Sequence, residues 1–382
     1  GWRFGPSGDS VAFMHDLIRT VLAFSLVLGV LVFIHELGHY LAARWRGVHV
    51  EVFSIGFGRP LLRWHDSVGT EWRLCPVPLG GYVRPHGFEG PEDATEEQKA
   101  AWQPGRTFHD KPVLSRAIVI VAGPVFNFLL AIVLFTGLFA TSGQPHILNQ
   151  VAQIVPGSAA ASAGVEKGDV IVRVGDHTVR DVTDLQSFVS GQADAQTTLT
   201  VRRNGADQTL PVHIGVVQEK GGDRHGQIGV SFAAEMGKPQ SLPHAFVSAI
   251  KETWHVSVQT LEGLWQMITG QHSTKDLGGP LRIAQMSGQV AQYGLPSLVS
   301  FMALLSINLG LINLFPVPIL DGGRLVFYVF EAILGRPVSR RVQEISFQAG
   351  FALIAGLFLF STFNDLSHFG LFQWLASRAG QG

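Results

Sequence analysis

Cysteine is nearly absent: of 382 residues only Cys75 carries a thiol, which excludes an internal disulfide framework and any cysteine-rich zinc site. Charge is scarce as well. Asp, Glu, Lys and Arg make up 15% of the chain, against about a quarter in soluble globular proteins. That argues against a disordered or purely water-soluble chain and points towards the membrane. Neither sign dominates, since 28 basic residues face 29 acidic ones, and no basic bias marks a nucleic-acid partner. Internal repeats and low-complexity tracts are missing too. Any bound metal must rely on histidine and carboxylate.

What the chain has instead is long apolar runs. Four are long enough to cross a bilayer, which takes about 20 helical residues. The first lies within 14–46 and, from Val21 to Ala43, is uncharged apart from Glu36, with His35 and His39 beside it. The second, 117–141, opens a stretch without Asp, Glu, Lys or Arg that reaches Val165. The third, 298–320, closes a charge-free run from Ile283, and the fourth, 345–363, sits between Glu344 and Asp365. Arg44, Arg46, Arg59, Lys111 and Arg116 flank the first connection, and Arg324, Arg336, Arg340 and Arg341 crowd the last. The excess of basic residues then places 47–116 and 321–344 in the cytoplasm, with 142–297 and both termini outside. On that reading the first span is an uncleaved anchor, Met14 is a natural start, and 1–13 is an extension or expression remnant.

The external segment is a different material. Over 149–232, alternating runs such as Asp169-Val-Ile-Val-Arg-Val174 and Thr198-Leu-Thr-Val-Arg202 are punctuated by Gly175-Asp176 and Asn204-Gly205. That pattern predicts a small β-rich domain. The following linker, 233–297, carries Phe246, Ile250, Trp254, Val258, Leu261, Leu264, Trp265 and Ile268 at helical spacing. This suits an amphipathic helix packed on the domain or lying at the lipid interface, and packing is the expectation. The fold class is therefore an α-helical membrane protein with about four transmembrane helices and an extracytoplasmic β-rich domain.

His35-Glu36-Leu37-Gly38-His39 carries the chemistry. Residues four apart share a helix face, so both imidazoles can meet one Zn²⁺. Glu36 sits beside them, where it can take a proton from a bound water. In a chain of this composition, a chance His-Glu-x-x-His is expected about 0.02 times. The motif also lies inside an apolar span, where one acid costs about 2.5–3.5 kcal/mol unless it is paired, ligating or facing water. A catalytic zinc takes three protein ligands, and between Asp276 and Glu331 the one acid is Asp321. It follows Pro316 and Pro318, which forbid regular helix there, at the same cytoplasmic depth as the histidines. An N-cap or interfacial role is the simpler alternative for Asp321.

His35-Glu36-x-x-His39 together with Leu320-Asp321-Gly322 resembles the paired signatures of site-2 proteases, which are intramembrane zinc metalloproteases. Gly123-Pro-Val-Phe-Asn127 is similar to that family's Gly-Pro-x-x-Asn element. The segments Ser158-Ala-Ala-Ala-Ser-Ala-Gly164 and Gly168-Asp-Val-Ile-Val-Arg-Val-Gly175 resemble the PDZ domains of bacterial members. Over about 14–370 the chain is similar to the bacterial RseP type, with room for a single PDZ domain rather than a tandem pair.

The resemblance implies hydrolysis of peptide bonds in transmembrane segments of single-pass membrane proteins, such as pre-trimmed anti-sigma factors or signal-peptide remnants. It implies a bacterial inner membrane location with the PDZ domain and both termini periplasmic, and membrane lipid as the surrounding partner. His35, His39 and Asp321 match the zinc ligands and Glu36 the general base. Asn127 and Asn313 match positions that handle the substrate. The PDZ domain would bind a peptide terminus or filter substrates by size.

The resemblance further implies a membrane-associated re-entrant β-sheet within 47–116. A helical peptide bond is shielded, so a substrate must be extended before cleavage, and an open edge strand can hold it by β-addition. Gly81, Tyr82 and Val83 are the expected edge, against the alternative of a plain packed hairpin. Two rival functions are a metal transporter, which needs neither Glu36 nor a PDZ domain, and a non-catalytic PDZ scaffold, which does not need an intact metal motif.

Overall fold

The computed structural model describes residues 10–368 except 89, 92–93, 219–223 and 270–278. Residues 1–9 of the expected extension, most of the C-terminal tail and part of the linker therefore lie outside the described residues, and 10–13 of that extension already belong to the first helix. Those described divide into two compact units: 10–137, 243–258 and 279–368 in one, 138–242 and 259–269 in the other.

The first unit opens with α1 (Ser10–Trp45). Four strands follow, β1 (Val50–Phe57), β2 (Leu62–His65), β3 (Glu71–Leu74) and β4 (Val77–Pro85), in the order β2-β3-β1-β4. β1 runs parallel to β3 and antiparallel to β4. A short α2 (Glu96–Ala101), closed by a Thr95–Gln98 capping box, leads to α3 (Val113–Ser142). The sheet and helices share one core, in which Tyr40, Ala43, Val50, Phe53, Val119 and Ile120 are buried together. The β-structure expected within 47–116 is a four-stranded sheet, and Gly81, Tyr82 and Val83 lie in its outer strand β4, opposite Ile55, Ser54 and Phe53.

The second unit is a sheet in the order β12-β5-β6-β8-β9. Its elements are β5 (Pro145–Ile154), α4 (Ala159–Ala163), β6 (Val170–Val174), β7 (His177–Thr178), α5 (Val182–Ser190), β8 (Gln196–Arg203), β9 (Ala206–His213), β10 (Gly215–Gln218), β11 (Arg224–Gln227) and β12 (Val230–Met236). Inward positions of alternating strands supply the core: Ile171, Val174, Leu199, Val201 and Ile214 are fully buried. Asn204 and Gly205 turn the β8–β9 hairpin, both at positive φ, as a two-residue turn of matching twist requires. Ser158 and Asp181 cap α4 and α5 with their side-chain oxygens.

The remaining helices are α6 (Leu242–Ile268), α7 (Pro280–Gln292), α8 (Leu295–Asn313), α9 (Asp321–Leu334) and α10 (Arg340–His368). Among the described residues, four helices are long and apolar enough to cross a membrane: α1 over Met14–Trp45, α3, α8, and α10 over Arg340–Leu366. Val27, Leu31 and Met302 tie α1 to α8, with Leu130 and Leu134 of α3 against them. Gly288 lets α7 approach Thr20 of α1. Asp365 of α10 is buried and accepts the Gly279 and Arg282 amides at the start of α7, satisfying helix-end donors in an apolar setting.

Two expectations need correction. The loop expected over 321–344 is largely α9, because Leu325, Val326, Tyr328, Val329 and Phe330 continue a helical apolar pattern after Asp321. The large apolar face expected to pack on α6 is instead turned outward: Phe246, Trp254, Leu261, Trp265 and Ile268 are exposed, and the buried face is Ala245, Ala249, Thr253 and Ser257. Small side chains permit closer backbone approach than the bulky stripe does, so they take the contact.

Candidate metal centre

The last three turns of α1 carry His35 and His39 on one face, and Asp321 is the first residue of α9. Their donor atoms converge. His35 Nε2 lies 3.2 Å from His39 Nε2 and 3.2 Å from Asp321 Oδ2, and His39 Nε2 lies 3.4 Å from the same oxygen. Ligands about 2.0–2.1 Å from a tetrahedral zinc stand about 3.3 Å apart. The three atoms already form one face of that tetrahedron. Asp321 Oδ2 is buried with no hydrogen-bond donor of its own, as expected of an oxygen reserved for a cation. Among the described residues, this is the one group of three or more such side chains close enough to hold a metal.

Local sequence explains how Asp321 arrives there. α8 ends at Asn313, and Pro316 and Pro318 cannot continue a helix. The chain turns, and α9 begins with two glycines behind the aspartate. A β-carbon on Gly322 would strike the Leu314 and Phe315 carbonyls, and one on Gly323 the Val317 carbonyl. Only hydrogen at both positions lets the start of α9 nest against this turn.

α3 closes the other side. Gly123 lies so close to the site that a β-carbon there would collide with both imidazoles, and Gly38 meets the Ala122 carbonyl in the same way. Pro124 sits inside α3. A proline there has no amide to donate, so the carbonyl four residues earlier loses its intrahelical partner. One turn before it, the Val119 carbonyl accepts from His39 Nδ1 at 2.8 Å. Asn127, fully buried, places its amide 3.1 Å from His35 Nδ1. Ser306 of α8 donates to the Asn127 backbone carbonyl at 2.8 Å. The Asn127 side chain therefore meets His35.

Glu36 faces β4. A β-carbon on Gly81 would come within 3.2 Å of Glu36 Cγ, and the Val83 amide lies on the same side of the Glu36 carboxylate. Tyr82 points elsewhere, its hydroxyl accepting from Arg73 at 3.1 Å. Asn313 closes α8, half-buried, and its side chain makes no hydrogen bond among the described residues. Sequence reasoning missed Val119, Gly323 and Ser306 and named Gly38, Gly123 and Gly322 only as motif members, because Val119, Gly38, Gly123 and Ser306 act through distant segments and Gly322 and Gly323 through the turn before them.

Just outside the apolar part of α1, Tyr40 donates to Asp66 at 2.9 Å, tying the β2–β3 turn to the motif helix. Partial burial pushes the Asp66 carboxyl upward. The Trp72 indole, the Thr70 amide, the Tyr40 hydroxyl and the Val68 amide outweigh this and hold it at about 2, below the ordinary 3.8. At the start of α3, Arg116 pairs with Glu331 of α9 at 2.5 Å and lies over the Tyr328 ring.

A helical chain with a His-His-Asp cluster on its apolar helices falls among metal-dependent membrane enzymes, and comparison with known proteins gives the class its name. The family model described as Peptidase family M50 matches residues 23–357. A relative in Rhizobium meliloti (strain 1021), described as a "Putative zinc metalloprotease", is 38% identical over 93% of this chain and 98% of its own length. One of the same description in Brucella suis biovar 1 is 40% identical over 92% and 96%. Metalloprotease MmpA of Caulobacter vibrioides is 33% identical over 95% and 99%. Among solved structures, the PDZ domain of an SdrC-like protein from Listeria monocytogenes matches 23% of this chain and 86% of that one at 11% identity and a TM-score of 0.20, too slight a likeness to bear on the fold. The chain belongs to peptidase family M50, the site-2 protease family. It is a zinc metalloprotease, and its metal is Zn²⁺.

Proposed function

We propose that this protease hydrolyses peptide bonds within transmembrane segments of single-pass membrane proteins, with His35, His39 and Asp321 holding the zinc and Glu36 as general base. The observation that carries the reading is the convergence of three donor atoms at tetrahedral spacing, two of them on a helix apolar enough to cross a membrane and the third at the start of α9. Soluble substrates would not require such a site to lie there. Pre-trimmed anti-sigma factors and signal-peptide remnants are the substrate types the reading favours. The protein would sit in a bacterial inner membrane, with the β-rich unit, read as a PDZ domain, and both termini on the periplasmic side.

Zn²⁺, when bound, brings the pKa of a coordinated water to about 7 and polarises the scissile carbonyl. Glu36 accepts the proton of the attacking water at its carboxylate and returns it to the leaving nitrogen. The Val83 amide orients that carboxylate from the β4 side. Gly81 lets β4 approach α1 closely beside Glu36, and Gly81, Tyr82 and Val83 form the strand on which the substrate is held by β-addition. Asn313, at the end of α8, is the side chain from which a hydrogen bond to the tetrahedral oxygen would come.

The test is cleavage of a reporter transmembrane peptide by the purified chain in lipid. Cleavage should stop with a zinc chelator and with Glu36→Gln, and the variant should keep its zinc. Retained cleavage in Glu36→Gln, or its loss of zinc, contradicts the assignment.

A further inference from the structure

The zinc reading assigns His35 and His39 but leaves open what fixes their protons, and the structure answers differently for the two. A neutral imidazole that gives Nε2 to a metal carries its proton on Nδ1 and needs an acceptor there. For His39 that acceptor is the Val119 carbonyl, a group that can only accept. For His35 the neighbour is the Asn127 side chain, 3.1 Å away, and the atom placed towards it is Nδ2, a donor. At the same time Asn127 Oδ1 is buried with no hydrogen-bond partner. Two donors facing each other, with an orphaned acceptor on the same amide, is the pattern of an exchanged amide. Oxygen and nitrogen differ little in position, and the hydrogen-bond network decides between them.

We infer that Asn127 Oδ1 accepts the proton of His35 Nδ1, making Asn127 a positioning residue that locks His35 in its zinc-binding tautomer. α3 then supplies both acceptors, one from its backbone and one from a side chain two turns on. The Ser306 hydroxyl anchors the arrangement by holding the Asn127 carbonyl, so α8 braces the residue that braces the ligand. This role acts through His35 and differs from direct substrate handling: it requires an acceptor at position 127, whereas a substrate carbonyl would require a donor.

That difference makes the inference testable on the full-length protein by competing a chromophoric chelator for its zinc. Orienting partners of metal-bound histidines typically contribute about 10–100-fold in metal affinity. Asn127→Ala should weaken zinc retention by that factor, while Asn127→Asp, an acceptor without a donor, should hold zinc at least as tightly as the parent. At saturating zinc, Asn127→Ala should recover most of its kcat with KM unchanged. Unchanged zinc affinity in Asn127→Ala, or a loss in Asn127→Asp equal to that in Asn127→Ala, overturns the inference. So does a raised KM with full zinc occupancy. The inference rests on the zinc reading, and His35→Ala separates the two: if that variant keeps its zinc, the ligand assignment itself fails, whatever Asn127 does.

Discussion

The two units solve opposite problems. In the helical unit large apolar side chains face outward, Leu22, Val133, Phe351 and Leu359 among them, while polar groups such as His35, Asn127 and Ser306 lie inside. In the β-rich unit the arrangement is the usual one for water, with Ile171, Val174, Leu199 and Ile214 inside and charged residues such as Arg202 and Asp207 outside. The lesson concerns where specificity resides. Packing apolar helices against one another in lipid gains little hydrophobic energy, so the helical unit is held by close backbone approach at glycines and by buried hydrogen bonds. These same features make the metal centre. The β-rich unit is held by a hydrophobic core that carries no chemistry.

Several substitutions would break or sharpen this contrast. The largest effect is expected from Glu36→Gln, which should lower cleavage of a reporter transmembrane peptide by at least about 10²-fold while zinc content, measured by atomic absorption, stays near one per chain. Next, Gly123→Ala puts a methyl group where the imidazoles stand. It should lower zinc occupancy and cleavage together, although the residue carries no functional group. Full zinc and normal cleavage in that variant would show that close approach of α3 does not build the site.

In the β-rich unit, Ile171→Ala removes a fully buried core side chain and should destabilise that unit by about 2–5 kcal/mol. Calorimetry should show the loss, with zinc affinity unaltered. Equal effects on both would erase the distinction between the units.

The smallest effect is one of pH. The folded Asp66 carboxyl lies at about 2 against 3.8 when unconstrained. Its contribution is present above about 3.8 and disappears as pH falls through 2. Tryptophan fluorescence of acid-treated protein should follow this through Trp72, whose indole donates to Asp66 at 3.0 Å. Asp66→Asn should lose that component of the acid transition.

How much of this could be read beforehand depends on the distance over which each feature acts. His35 and His39 were legible because a helix brings residues four apart onto one face. Asp321 was legible because acids are costly and rare in apolar runs, which makes a solitary one conspicuous. The strands of the β-rich unit announced themselves by alternation and by turn residues such as Asn204-Gly205. α9 was not legible: the prolines before it signalled a break, and nothing in that break shows that helix resumes at once. Gly38, Gly123 and Gly322 were visible as motif members, but their roles were not, nor was that of Gly323, since a glycine's value there is the identity of the group it approaches, 80 residues or more away for Gly38 and Gly123. Asn127 stood out through its motif, but the motif does not name the His35 ring that its side chain meets.

The most direct measurement is zinc X-ray absorption on the purified chain, parent and Asp321→Ala side by side. Two imidazole nitrogens and a carboxylate oxygen around the metal, with the oxygen lost or replaced by water in the variant, is the outcome the convergence of α1 and α9 requires. A sulfur from Cys75 in the parent's coordination shell, or a shell unchanged by removing Asp321, would contradict it.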